Sequence, residues 1–210
     1  MYNNEFDQGD LSKFTEAQNQ WHAIEAEAST TPFSDQNVIH RRMLFSVYQF
    51  LTQNFDDHPS RSGSHWENIG FQGNDPATDF RGVGVLGLLQ FLRFVSNKKQ
   101  ENLVHDLFAL SRHPVQNFPF AAVGLNFTKI LLGLLKMGKL ENLTNSTRKS
   151  WSLFDCLTFC YDGVFSRFFY VWNNSEPKKT IVDFGFVMKN LENYANDYRN
   201  RVKWIKCHNM

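Results

Sequence analysis

Nowhere in this chain do apolar and polar residues alternate over the length of a strand between hairpin turns, whereas apolar residues recur three and four apart through most of it. Spacing of that kind lines one face of a helix; a half-buried sheet needs a period of two. The chain is therefore read as all-α. Its 210 residues suit one domain, and 42% hydrophobic residues supply a real core, which excludes disorder of the whole. Lys and Arg number 22 against 21 Asp and Glu, and a net charge of +1 offers no global field for holding a polyanion. No nucleic-acid partner is expected.

Residues 1–12 are read as a flexible N-terminus and 13–34 as a helix and linker, because Phe14, Ala17, Trp21, Ile24 and Ala28 share one helical face before Thr30, Thr31 and Pro32 stop it. Ser34 and Asp35 offer a cap for a second helix, with Ile39, Met43, Ser46 and Phe50 as its stripe and Leu44 and Phe45 widening it. Residues 56–63 form the clearest loop. A short apolar piece around Trp66 and Phe71 leads into a second turn-rich stretch, residues 73–84, after which a helix runs from Val85 through Phe94. Asn97 caps the next, with Leu103, Leu107 and Leu110 on its face. Pro119 suits the first turn of another, which reaches Met137 and ends at Gly138. Residues 151–172 and 181–204 read as two further long helices. The expected architecture is a single-domain helical bundle of about six to eight helices joined by irregular loops.

Residues 121–135 are the longest apolar stretch, yet Asn126, Thr128 and Lys129 interrupt it and it falls short of the roughly 18 residues that span a bilayer. The first twenty residues are polar and acidic, unlike a secretory signal, so the expected location is cytoplasmic. Three cysteines in such a chain are expected to be reduced, and the sequons at Asn126, Asn142, Asn145 and Asn173 accidental.

Gly82, Gly84 and Gly87 match a dinucleotide fingerprint, with Asp106 near the ribose-binding position. The fingerprint needs a strand before it, and here a turn precedes it, so no nicotinamide or flavin is expected. Cys156 and Cys160 lie among Leu153, Phe154, Leu157 and Phe159 and are read as buried thiols rather than zinc ligands with Cys207 and His208. His22, His58, His65, His105 and His113 share no ligand spacing.

Arg81 stands out as a lone cation at the mouth of a helix, with Gly82 and Gly84 removing bulk on its far side. From the residues alone two readings stay open: Arg81 pairs with Asp79 or Asp75 to staple its loop, or it is displayed to a partner.

The stretch Trp66-Glu67-Asn68-Ile69-Gly70-Phe71-Gln72-Gly73-Asn74-Asp75-Pro76-Ala77-Thr78-Asp79-Phe80-Arg81-Gly82, followed by Leu86-Gly87-Leu88-Leu89, resembles the signature of the ELMO domain. Asn37-Val38-Ile39-His40-Arg41-Arg42-Met43-Leu44 looks like the start of the same domain, and Phe118-Pro119-Phe120-Ala121-Ala122-Val123-Gly124-Leu125-Asn126 resembles its second well-marked block. The resemblance implies an ELMO domain over 35–206, with Tyr48 departing from a position where the family often carries tryptophan. Compact members of this family activate GTP hydrolysis by Arf and Arf-like small GTPases, and the arginine matching Arg81 is their proposed catalytic residue. Larger members lack it and act as scaffolds for DOCK-type exchange factors. Having the arginine and no room for further domains, the chain resembles the activating branch, acting on the GTP form of its partner rather than as a stand-alone enzyme. GTP and Mg²⁺ would belong to the partner, with no cofactor of the chain's own and any membrane recruitment peripheral and through that partner. The alternative is a non-catalytic adaptor. Gln72 and Asp79 are expected to orient Arg81, Gly82 and Gly84 to let a partner approach, and Trp66, Phe71, Pro76, Thr78 and Leu88 to support the loop.

Overall fold

The computed structural model describes residues 31–140, 143 and 152–207. Among these are eight α-helices and three 3-10 segments, with no strand. The helices are α1 (Val38–Thr52), α2 (His65–Asn68), α3 (Gly84–Ser96), α4 (Glu101–Ser111), α5 (Phe120–Lys136), α6 (Leu153–Asn174), α7 (Phe184–Asn196) and α8 (Tyr198–Cys207). The helix expected over 14–28 lies outside the described residues. α1 packs on α3, α3 on α5, α5 on α6, and α7 and α8 fold back on α6.

Aromatic rings fill the centre. Phe94 stacks on Phe165 at 4.0 Å between centroids, and Phe127 meets Phe165 edge-on at 4.7 Å. A buried tyrosine needs a partner for its hydroxyl, and Tyr161 donates to the Gly124 carbonyl at 3.1 Å. Burial also pushes the Cys160 thiol up to about 12 and the Cys156 thiol to about 11, as groups that stay protonated and pack as small hydrophobes. Asp162, nearly sealed from solvent, is held by Arg93 from α3 and by the Gln100 amide, so the buried charge is paired.

Two elements differ from their sequence reading. The buried face of α1 is His40, Leu44, Val47 and Leu51, one residue on from the expected stripe, and Ile39 is 66% exposed. Ser46 made the expected stripe the poorer core face, while apolar residues on several sides of this helix blur its periodicity. Its cap is Asn37, whose side chain accepts from the Ile39 N–H at 2.9 Å, not Ser34 or Asp35. At the other end, residues 181–204 form a 3-10 turn and two helices rather than one. Asp197 is extended there, and its carboxylate accepts the Arg199 N–H at 2.9 Å to open α8. The break turns Trp204 back onto α6 at Gly163, where a Cβ would stand 2.2 Å from the indole.

Gly163→Ala is expected to lower stability by about 1–3 kcal/mol, overpacking against the indole outweighing the ~1 kcal/mol gain in helix propensity. Urea unfolding measures it, and unchanged stability would count against this contact. Thiol labelling of the native chain is expected to modify exposed Cys207 at once and Cys156 and Cys160 only on unfolding; simultaneous reaction of all three would contradict the packing described.

Candidate functional site

The signature segment folds as a short helix, a turn and a 3-10 helix over Pro76–Gly82. Trp66 anchors its start: the ring is fully buried, its Nε1 donates to the Ser60 carbonyl at 3.2 Å, and Tyr48 covers it edge-on at 5.6 Å. Gly70 follows in the left-handed region with φ +91°, and a Cβ there would lie 2.1 Å from the Phe120 nitrogen. That close approach has a purpose. α5 begins at Pro119 without a side-chain cap, and the carbonyls of Ile69 and Gly70 accept the Ala121 and Ala122 N–H groups at 3.3 and 2.9 Å. The site loop is thereby the cap of the helix beside it.

Pro76 opens the 3-10 helix, where its missing N–H leaves nothing unpaired, and the Asp75 carboxylate accepts the Ala77 N–H at 2.9 Å. Side chains three apart eclipse in a 3-10 helix, which sorts this one into three faces. Phe80 and Val83 turn inward, with Ala77 half-buried beside them; Phe80 is 2% exposed and lies between Phe33 and Phe71. Asp79 and Gly82 line a groove of about 180 Å³ with Gln72 and Asn126. Thr78 and Arg81 are exposed on the remaining face.

Arg81 makes no hydrogen bond or ion pair among the described residues. The staple that sequence reasoning offered it belongs to Arg61. The Arg61 guanidinium binds Asp35 and, at 2.8 Å, Asp75, and lies 5.2 Å over the Phe33 ring. Asp79 is occupied too, accepting the Gln72 N–H at 2.8 Å. Burial pushes its carboxyl above the usual value, against that hydrogen bond, and no guanidinium counters the shift. Gln72 and Asp79 therefore sit together in the groove without holding Arg81, whose charge helps to lower the Asp75 carboxyl.

Gly84 adopts φ +59° where α3 begins, while nothing stands within 4 Å of a Cβ placed on Gly82, so Gly82 contributes bare surface. Trp66, Phe71, Pro76 and Leu88 are all buried beneath the loop, and the Thr78 hydroxyl donates to the Asp75 carbonyl at 2.9 Å. The arrangement is a rigid, internally satisfied platform with one uncommitted guanidinium on its surface. Arg61 and Asp35, 26 residues apart in sequence, are the residues that sequence reasoning missed, and no local pattern joins them.

A model of the ELMO/CED-12 family matches residues 24–188, and the chain belongs to that family. It is 36% identical over 168 residues to human ELMO domain-containing protein 3, covering 80% of this chain and 42% of that protein. Mouse ELMO domain-containing protein 2 is 36% identical over 110 residues, covering 52% of this chain and 36% of that protein. ELMO domain-containing protein B of Dictyostelium discoideum is 26% identical over 181 residues, covering 83% of this chain and 59% of that protein. The chain thus spans less than half the length of the human and mouse relatives. No solved structure matches it. No helix among the described residues is long and apolar enough to cross a membrane.

Arg61→Gln is expected to reduce stability by about 1 kcal/mol at pH 7, the upper end for a pair this exposed. Burial raises the Asp75 pKa, but the Ala77 N–H and the Arg61 guanidinium outweigh it and hold the carboxyl below its usual 3.8. An acid lowered on folding contributes stability above about pH 4 that is lost as the pH falls through the folded value. The difference between wild type and Arg61→Gln in urea unfolding should therefore shrink from pH 7 to pH 3. A difference that grew in acid would refute the assignment of Asp75 to Arg61.

Proposed function

We propose that this chain is a GTPase-activating protein for an Arf or Arf-like small GTPase, inserting Arg81 in trans as an arginine finger. Hydrolysis of the γ-phosphate passes through a loose transition state with charge spread over the phosphate oxygens, and an arginine supplied in trans is worth about 10³ to 10⁵ in rate. The planar guanidinium binds two oxygens at once, whereas an ammonium is a hydrated point charge. The observation that carries the reading is the exposed Arg81 with no partner among the described residues, on a 3-10 helix fixed by buried Phe80 and capped by Asp75. Membership of the ELMO/CED-12 family supports a partner among small GTPases.

In this reading Asp75 and Asp79 are kept from neutralising the finger by Arg61 and the Gln72 N–H, and the bare surface at Gly82 admits the partner's nucleotide cleft. GTP and Mg²⁺ are the partner's. The encounter takes place in the cytoplasm, with membrane recruitment through the GTPase.

The test is single-turnover GTP hydrolysis across GTP-loaded Arf and Arf-like proteins, at saturating wild-type and Arg81→Lys chain. Lysine keeps the charge and loses the fork, so hydrolysis by the responsive GTPase is expected to fall by about 10² or more with binding and melting temperature nearly unchanged. A folded Arg81→Lys chain that still accelerates hydrolysis like wild type would refute the finger. Wild-type binding without acceleration would favour the adaptor.

A further inference from the structure

The groove beside Gly82 does not end there. Past Asn126 and Lys129, which line both parts, it widens to about 560 Å³ between α5 and α7. Gly133 on α5 and Gly185 on α7 leave its walls bare, since nothing lies within 4 Å of a Cβ on either. Met137, 54% exposed, adds apolar surface at the far end. Along the α5 edge Lys129 and Lys136 are exposed and have no ion-pair partner among the described residues, while Lys189 across the groove is neutralised by Glu192 at 2.8 Å. The surface is an apolar trough with an uncompensated basic edge.

The charge that matches it is in the same chain. Residues 1–30 contain six carboxylates and one lysine, so they carry −5 and the rest of the chain +6 of the total +1. At helical spacing the apolar residues Phe14, Ala17, Trp21, Ile24 and Ala28 form one stripe, with Glu25 on one flank and Glu16 and Glu27 on the other. Fifteen residues of helix measure about 22 Å, against about 17 Å of α5 from Asn126 to Met137. The point of attachment fits as well: the Thr31 carbonyl accepts the Val85 N–H at 2.9 Å, which brings the chain in at the first turn of α3, three residues from Gly82. So short a tether raises the effective concentration of the segment at the groove to the millimolar range.

We propose that the trough between α5 and α7 is the docking surface for the chain's own acidic amphipathic segment, residues 14–28. The docking does not rest on the functional reading above. Zero-length carbodiimide cross-linking of the dilute full-length chain, with peptide mapping of the monomer band, needs no GTPase and reads the docking directly. Amide links from Glu16 or Glu25 to Lys129 or Lys136 are expected. Lys129→Glu keeps the Lys136 amine and places a negative charge on the same edge, so the yield of links to Lys136 should fall several-fold as a screened attraction becomes a repulsion. Exchanging the charges, Lys129→Glu/Lys136→Glu together with Glu16→Lys/Glu25→Lys, should give links of reversed sense, each variant first shown by its melt to be folded. Absence of such links from the wild-type monomer, links only between chains, or a yield indifferent to the charge changes would overturn the proposal. If the links form as expected but no GTPase is accelerated by Glu16→Lys/Glu25→Lys or by wild type, the functional reading fails and the docking stands.

Discussion

The Arg61 guanidinium is the contact on which the rest of the site depends. It reaches from the long loop to Asp35 before α1 and to Asp75 at the head of the 3-10 helix, with the Phe33 ring beneath it. Exposed pairs stabilise little, and the importance of this one lies in what it occupies. With Asp75 bound to Arg61 and Asp79 bound to the Gln72 N–H, neither neighbouring carboxylate pairs with Arg81. A cation displayed on a surface remains available only where the anions around it are already committed.

Rigidity comes from a second arrangement. α5 begins without a side-chain cap, and two carbonyls of the site loop satisfy its first N–H groups. The loop can come that close because residue 70 is glycine, and Phe80 and Trp66 then hold both ends of the segment in the core. The platform carrying Arg81 is thus continuous with the helix that forms one wall of the adjoining groove.

Much of this was legible in the sequence. α3, α5 and α6 carry strong periodicity and clear ends, Gly138 among them with φ +66°, and their positions follow from spacing and turn chemistry. The burial of Trp66, Phe71 and Pro76 under the loop follows from their bulk. What spacing could not show was tertiary. The face of α1 was ambiguous because apolar residues lie on several of its sides, so contact with α3 decided it. The break at Asp197 lies inside a helical pattern, where an acidic residue is as ordinary as it is at a cap. The pairing of Arg61 with Asp35 and Asp75 joins residues distant in sequence, and without it the local pattern of charges pointed equally to a stapled or a displayed Arg81.

The proposed activity turns on where the Arg81 guanidinium sits when a GTPase is bound. The most direct measurement is a structure of this chain with a responsive Arf-family GTPase carrying GDP, Mg²⁺ and aluminium fluoride, which stands in for the γ-phosphoryl group in flight. The Arg81 guanidinium is expected within about 3 Å of a fluoride or of the bridging oxygen, with Arg61 still on Asp75. An Arg81 turned to solvent or folded back onto Asp75 in that complex, while the two proteins remain docked, would contradict the arginine finger.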